Sequence, residues 1–290
     1  MLTAELVEKV RRIEIRTRRI VQNQTAGAWQ ASFKGRGIEF AEVREFQEGD
    51  ELRSIDWNVS AKLGTPYIKL FTEEREQNVF FLVDCSASGH FAGSGSMSKS
   101  ELAAEVAAVL AFSATLNKDR VGLLLHSDRV ELYLDPARGQ QHVLRIVREL
   151  LSPREDASPH TDLAGGIKQL LAATLRRSII FIVTDGMTDP FDRPLRILAK
   201  RHEVIVLHIS DPLERELPRL PALSVVDLES GLNHRISPRA ARSLAERANE
   251  RLGDLRSSCR KAGADLVELD TATDYLPAIM ALFDRRMSRR

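Results

Sequence analysis

Beyond about residue 77, the hydrophobic positions of the chain follow one repeating pattern. Short, continuous apolar runs recur at 78–84, 120–127, 178–185, 203–210 and 264–270. Segments with helical spacing of apolar residues lie between or after them, at 100–117, 140–151, 162–175, 190–200, 237–262 and 274–286. Continuous apolar runs are typical of strands buried on both faces of a parallel sheet. Strands that alternate with helices predict an α/β fold with a doubly wound, mostly parallel sheet.

The first part of the chain begins with an amphipathic pattern. Apolar residues recur at helical spacing among charges at Leu6, Val10 and Ile13. This pattern predicts a helix over residues 3–22. The stretch 23–37 contains three glycines and many polar residues, so it is predicted to be a loop.

Two short strand-like runs, 38–46 and 67–72, complete this part of the chain. They predict a small N-terminal appendage over residues 1–76, with a helix and β structure, ahead of the main α/β domain over residues 77–290. Within the main domain, the run 224–230 is predicted to be an edge strand.

Composition and charge narrow the classes of function. A chain of 290 residues is long enough for one large α/β domain and a smaller unit. The formal net charge of +1 gives no general reason to bind nucleic acid or an anionic membrane. Two cysteines cannot form a disulfide framework, and no run of 18 apolar residues predicts a membrane span. These features predict a cytoplasmic protein without a nucleic-acid partner.

Hydroxyl and carboxylate side chains mark the ends of two predicted strands. Asp84 ends the first and is followed by Ser86 and Ser88, whereas Asp185 ends the strand at 178–185. Thr161 precedes a predicted helix between them. Because ligands bind at the carboxyl ends of parallel strands, these residues can converge. Oxygen ligands of this kind suit Mg²⁺ rather than Zn²⁺, although the two aspartates could instead cap the turns after their strands.

These five residues resemble the metal-ion-dependent adhesion site of von Willebrand factor A domains, which reads Asp-x-Ser-x-Ser, then a distant Thr and a distant Asp. The resemblance implies that Ser86, Ser88 and Thr161 approach the metal most directly. It also implies that Asp84 and Asp185 act largely through water. Mg²⁺ is the expected ion, with Mn²⁺ or Ca²⁺ as alternatives.

A second motif lies in the stretch VREFQEGDELRSIDWNVSAK (43–62). It resembles the signature of the "domain of unknown function 58" family, which precedes a von Willebrand A-like domain. The matching positions are Arg44, Phe46, Gly49, Asp50, Arg53, Ile55, Asp56 and Trp57, and the resemblance extends to DPLERELP (211–218). It implies a non-enzymatic module that binds a protein through a divalent cation, to which the partner offers an Asp or Glu. Family members look like adaptors or co-chaperones of MoxR-type AAA+ ATPases.

An alternative function rests on GSGSMSKS (93–100), which nearly spells a phosphate-binding loop between a strand and a helix. Lys99 would then contact phosphate in a divergent P-loop-like nucleotide hydrolase. A P-loop, however, requires glycine before this lysine, and Ser98 stands there. The segment also lacks the tight turn after the strand. The sequence therefore favours a binding protein over an enzyme.

Overall fold

The protein is described by a computed structural model that covers residues 4–33, 39–47, 49–72, 76–86, 89, 91, 93, 97–152, 160–215, 223–226 and 233–289. The chain forms two compact units. One contains residues 1–32 and 78–290, and the other contains residues 33–77. The N-terminal helix therefore groups with the sheet rather than with the β-containing segment, unlike the division at residue 76 that the sequence pattern suggested.

The described strands, in chain order, are β1 (Glu39–Glu45), β2 (Tyr67–Thr72), β3 (Asn78–Asp84), β4 (Arg120–His126), β5 (Val130–Ala137), β6 (Ile179–Thr184), β7 (Glu203–Ser210), β8 (Leu223–Val226), β9 (Asn233–Ile236) and β10 (Asp265–Asp270). Six of them form one sheet in the order β10-β7-β6-β3-β4-β5. All neighbours are parallel except β5, which is antiparallel to β4. The predicted fold class, a doubly wound and mostly parallel α/β sheet, is confirmed.

The described α-helices are α1 (Ala4–Ile20), α2 (Ala26–Ser32), α3 (Trp57–Leu63), α4 (Lys99–Leu116), α5 (Gln140–Leu151), α6 (Leu163–Ala173), α7 (Asp192–Arg201), α8 (Pro212–Arg215), α9 (Pro238–Ala262) and α10 (Leu276–Ser288). Because side chains alternate along a strand, the two faces of the sheet hold different cores. Phe80 and Leu82 pack in a cluster with α6, α7 and α9. Phe81 points to the opposite face, where it stacks on Phe181.

The helical N-terminal segment is longer than the sequence pattern predicted. A π-helical turn (Val21–Thr25) joins α1 to α2, so the loop predicted at 23–37 is wrong as far as Ser32. Trp29 explains the difference, because it is 1% exposed and donates its indole N–H to Asp119 at 2.9 Å. Contacts with residues distant in the chain thus outweigh the weak helix propensity of this segment.

The second unit, Phe33–Gln77, pairs β1 with β2 in an antiparallel ribbon and carries α3. Asp56 caps α3 by accepting hydrogen bonds from two backbone amides of its first turn. Asp50 accepts two hydrogen bonds from the guanidinium of Arg44, at 2.7 and 2.9 Å. Gly49 beside it has φ +108°, a conformation that other residues rarely adopt.

A short hairpin lies outside the large sheet. β8 pairs antiparallel with β9 in a separate two-stranded ribbon. Of the run 224–230 predicted as an edge strand, residues 224–226 belong to this ribbon rather than to the main sheet, and residues 227–230 lie outside the described residues. Because the two strands are close in the chain, the entropic cost of closing the loop between them is small.

None of the helices in the described part of the chain is both long enough and apolar enough to cross a membrane.

Candidate metal centre

Asp84 lies at the carboxyl end of β3, where three residues hold its carboxylate. Oδ1 accepts hydrogen bonds from the Ser86 amide at 3.0 Å and from the Thr161 hydroxyl at 3.1 Å. Oδ2 accepts a hydrogen bond from the Thr184 hydroxyl at 3.3 Å. These contacts orient the carboxylate and gather three hydroxyl-bearing side chains around it.

The loop that carries Thr161 is fixed by bonds to two other segments. The Asp162 amide donates to the carbonyl of Ser127, just after β4, at 2.8 Å. The Thr188 hydroxyl, from the loop after β6, donates to the carbonyl of Thr161 at 3.2 Å. Asp162 also caps α6 with its side chain. Backbone contacts therefore position Thr161 beside Asp84, although 77 residues separate the two in the chain.

Asp185 follows β6 and has an ammonium partner. Its Oδ1 accepts a hydrogen bond from the Met187 amide at 2.9 Å, and its Oδ2 accepts one from Lys99 Nζ at 2.7 Å. The same Nζ lies 2.6 Å from Glu214 Oε1. The Lys99 side chain is only 2% exposed, so the start of α4 places a buried cation between two carboxylates.

Glu214 is held in turn by the short segment after β7. Its Oε2 accepts a hydrogen bond from the Asp211 amide at 3.1 Å. Asp211 is fully buried, and its carboxylate accepts bonds from the Leu213 amide at 2.9 Å and the Thr271 hydroxyl at 2.5 Å. The DPLE stretch at 211–214 thus supplies a rigid second carboxylate to Lys99.

The two aspartates differ in electrostatic environment. Burial, followed by the negative charge of Asp185, raises the pKa of Asp84 from 3.8 to about 6. Burial alone would lower the pKa of Lys99, but the carboxylates of Asp185 and Glu214 outweigh it and raise that pKa. The ammonium therefore stays charged near neutral pH. Within the described residues, no ion pair compensates the charge of Asp84 in the same way.

A cavity of about 60 Å³ opens over this group of residues, with Asp84, Ser86, Lys99 and Asp185 in its lining. That volume is enough for a small ion with a few waters. Across the described part of the chain, no three His, Cys, Asp or Glu side chains are arranged as a metal cluster. The donors here are hydroxyls and carboxylates, and an oxygen-only set around a carboxylate without a cation fits Mg²⁺.

The structure brings together four of the sequence-predicted site residues: Asp84, Ser86, Thr161 and Asp185. Ser88 lies outside the described residues. Both aspartates also cap the turns that follow their strands, through the amides of Ser86 and Met187. The capping interpretation and the metal interpretation are therefore compatible in geometry.

Sequence reasoning missed three contributors to this site: Thr184, Lys99 and Glu214. Thr184 stood next to a predicted ligand and carried the same hydroxyl chemistry, so it could have been found. The sequence pattern suggests a role for Lys99 only as a phosphate ligand. In the structure its ammonium is engaged with two carboxylates, at 2.7 and 2.6 Å, an arrangement that gives the P-loop alternative no support.

Comparison with known proteins gives a family match over most of the chain. Residues 42–253 match the family described as "Protein of unknown function DUF58". The uncharacterized protein Rv1480 of Mycobacterium tuberculosis is 30% identical over 281 residues, which cover 95% of this chain and 88% of that protein. The uncharacterized protein YeaD of Bacillus subtilis is 28% identical over 155 residues, which cover 51% of this chain and 35% of that protein.

Solved structures give looser matches. An aerotolerance-related membrane protein from Bacteroides fragilis superposes with a TM-score of 0.47 at 14% identity, over 74% of this chain and 100% of that chain. The SpRpn10 VWA domain superposes with a TM-score of 0.40 at 16% identity, over 71% of this chain and 94% of that domain. Likenesses at this level carry no argument about function.

Proposed function

The chain belongs to the DUF58 family, and on that premise we propose that it is a non-enzymatic module that binds another protein through a divalent cation. The observation that carries the proposal is the environment of Asp84. Its carboxylate accepts bonds from the Ser86 amide and the Thr161 hydroxyl, faces a cavity, and has a pKa raised to about 6. A divalent cation bound there would relieve this uncompensated charge.

In this proposal, the chain's own residues orient the ion and leave part of its coordination open. Ser86, Ser88 and Thr161 would supply hydroxyl oxygens, while Asp84 and Asp185 would act largely through water. Mg²⁺ is the ion we propose, since hard oxygen donors and retained waters suit it. A partner's Asp or Glu is the donor best matched to an open position on such an ion.

The partner we propose is a MoxR-type AAA+ ATPase, for which the chain would serve as an adaptor or co-chaperone. This part rests on the resemblance of the motif at 43–62 to family members that accompany such ATPases. We place the interaction in the cytoplasm because two cysteines, Cys85 and Cys259, are too few for a disulfide framework, which is typical of chains in a reducing compartment.

A pull-down of the ATPase by the purified chain tests this function. We expect recovery with Mg²⁺, and loss of recovery with EDTA or in Asp84→Ala, because both remove the metal bridge. Asp189→Asn is the matched control, since Asp189 is an exposed carboxylate in the loop after β6 and makes no part of the site. Equal recovery from the wild type, from Asp84→Ala and with EDTA would overturn the cation dependence.

A further inference from the structure

The buried ammonium of Lys99 occupies one side of the proposed metal site. Its Nζ lies 2.7 Å from Asp185 Oδ2 and 2.6 Å from Glu214 Oε1. The other oxygen of Asp185 already accepts a hydrogen bond from the Met187 amide. The carboxylate of Asp185 therefore has both oxygens engaged within the chain, whereas the carboxylate of Asp84 has only neutral donors among the described residues.

We infer that the Lys99 ammonium competes with the divalent cation for Asp185. By holding Asp185, Lys99 lowers the affinity of the site for the cation and sets its value. This inference rests on the proposed function, because it concerns the same site. It divides the work of the two aspartates. Asp84 is the carboxylate available to a divalent ion, whereas Asp185 is held by the Lys99 ammonium.

The formal charges of the cluster support this division. Three carboxylates, Asp84, Asp185 and Glu214, and one ammonium, Lys99, sum to −2, so the chain itself already offsets one of these three negative charges. A positive charge buried beside the site also repels an incoming cation, and burial keeps that repulsion from being screened by solvent. Without the ammonium, Oδ2 of Asp185 would lose its bond to Lys99 and could face the ion, and the repulsion would disappear.

The ammonium is anchored and cannot leave easily. Lys99 is the first residue of α4, whose start is fixed by a capping box between Ser98 and Glu101. Its second partner, Glu214, is held through its other oxygen by the amide of the buried Asp211. Departure of the lysine would leave two largely buried carboxylates without their cation. Competition is therefore a constant property of the folded chain.

A charge-matched variant separates this role from a general change of charge. Lys99→Met alone would leave two buried carboxylates uncompensated and destabilise the fold, so Lys99→Met/Glu214→Gln is the informative variant. These four positions keep the formal charge of −2, but Oδ2 of Asp185 no longer has the Lys99 ammonium as its partner. We expect calorimetric titration with Mn²⁺ to show affinity about tenfold tighter, or more, than in the wild type. Glu214→Gln alone keeps the ammonium and has a cluster charge of −1, so it should bind more weakly than the wild type.

The possible outcomes distinguish this inference from the proposed function. Unchanged or weaker Mn²⁺ binding by the folded Lys99→Met/Glu214→Gln variant overturns the inference, while cation binding by the wild type would leave the proposed function standing. Binding by the double variant but not by the wild type supports the inference and overturns cation dependence of the wild type. Absence of binding in both proteins overturns both. Lys99→Arg retains the positive charge and should not tighten binding, so a tightening in that variant would also contradict the inference.

Discussion

Asp84 imposes a pH-dependent cost on the folded chain. Because its pKa is raised from 3.8 to about 6, the native state keeps a proton that the unfolded chain loses between these values. The free energy of unfolding therefore falls as pH rises through this window, and the cost is fully present above it. A shift of this size corresponds to a cost on the order of 3 kcal/mol.

Replacement of Asp84 should remove this cost. In metal-free buffer, we expect Asp84→Asn to be more stable than the wild type at about pH 8, by up to about 3 kcal/mol, and nearly equal to it near pH 4. Urea unfolding of both proteins at the two pH values measures the difference. A stability difference that does not change with pH would show that the carboxylate titrates normally in the fold.

At the scale of the element, α2 is held by hydrogen bonds to distant segments, among them the bond between Trp29 and Asp119. The indole N–H of Trp29 donates to the carboxylate of Asp119, which is 5% exposed. Trp29→Phe should lower the free energy of unfolding by about 1.5–3 kcal/mol, because it removes a hydrogen bond to a buried charged group. Chemical denaturation measures this loss.

The matched background for that substitution is Asp119→Asn, in which the acceptor is neutral. Trp29→Phe should cost less there, since a hydrogen bond to a neutral amide is weaker than one to a carboxylate. An equal cost in both backgrounds would assign the loss to packing of the indole against Phe181 and Phe283 rather than to the hydrogen bond.

The same elements show what local sequence could predict. The strands β3 and β6 could be predicted because each is a continuous apolar run with an aspartate at its end or directly after it, so strand and carboxylate are encoded by neighbouring residues. The helix α2 could not be predicted in this way. Glycine and polar residues precede Trp29, and the helical state depends on contact with Asp119, 90 residues further along the chain. The pairing of Lys99 with Glu214 could not be predicted from local sequence either, because 115 residues separate them.

At the scale of the whole molecule, the site and Trp29 belong to the same compact unit, whereas Trp57 belongs to the other. The chain has only these two tryptophans. In a Trp57→Phe variant, fluorescence therefore reports the unfolding of the unit that carries the site. Trp57 is 71% exposed, so its replacement should leave that unit's stability within about 0.5 kcal/mol of the wild type.

Binding of a cation to the native site should stabilise the unit that Trp29 reports. With Mn²⁺ at about 100 times its dissociation constant, we expect the free energy of unfolding to rise by about 2.7 kcal/mol. In the Asp84→Asn/Trp57→Phe double variant, addition of Mn²⁺ should leave the free energy of unfolding unchanged. A Mn²⁺-dependent rise of the same size in that double variant would place the ion elsewhere.

The separation of Lys99 from Glu214 also affects the time course of synthesis. At about 5–20 residues per second, the ribosome makes Glu214 roughly 6–23 s after Lys99, because 115 residues lie between them. Throughout that interval the nascent chain lacks one of the carboxylates that allow the ammonium to enter the interior. The corner of the sheet around Asp84 and Asp185 cannot reach its final form until translation has passed the segment after β7. Under the proposed function, a nascent chain would therefore bind a partner at this corner only after the segment that carries Glu214 has been made.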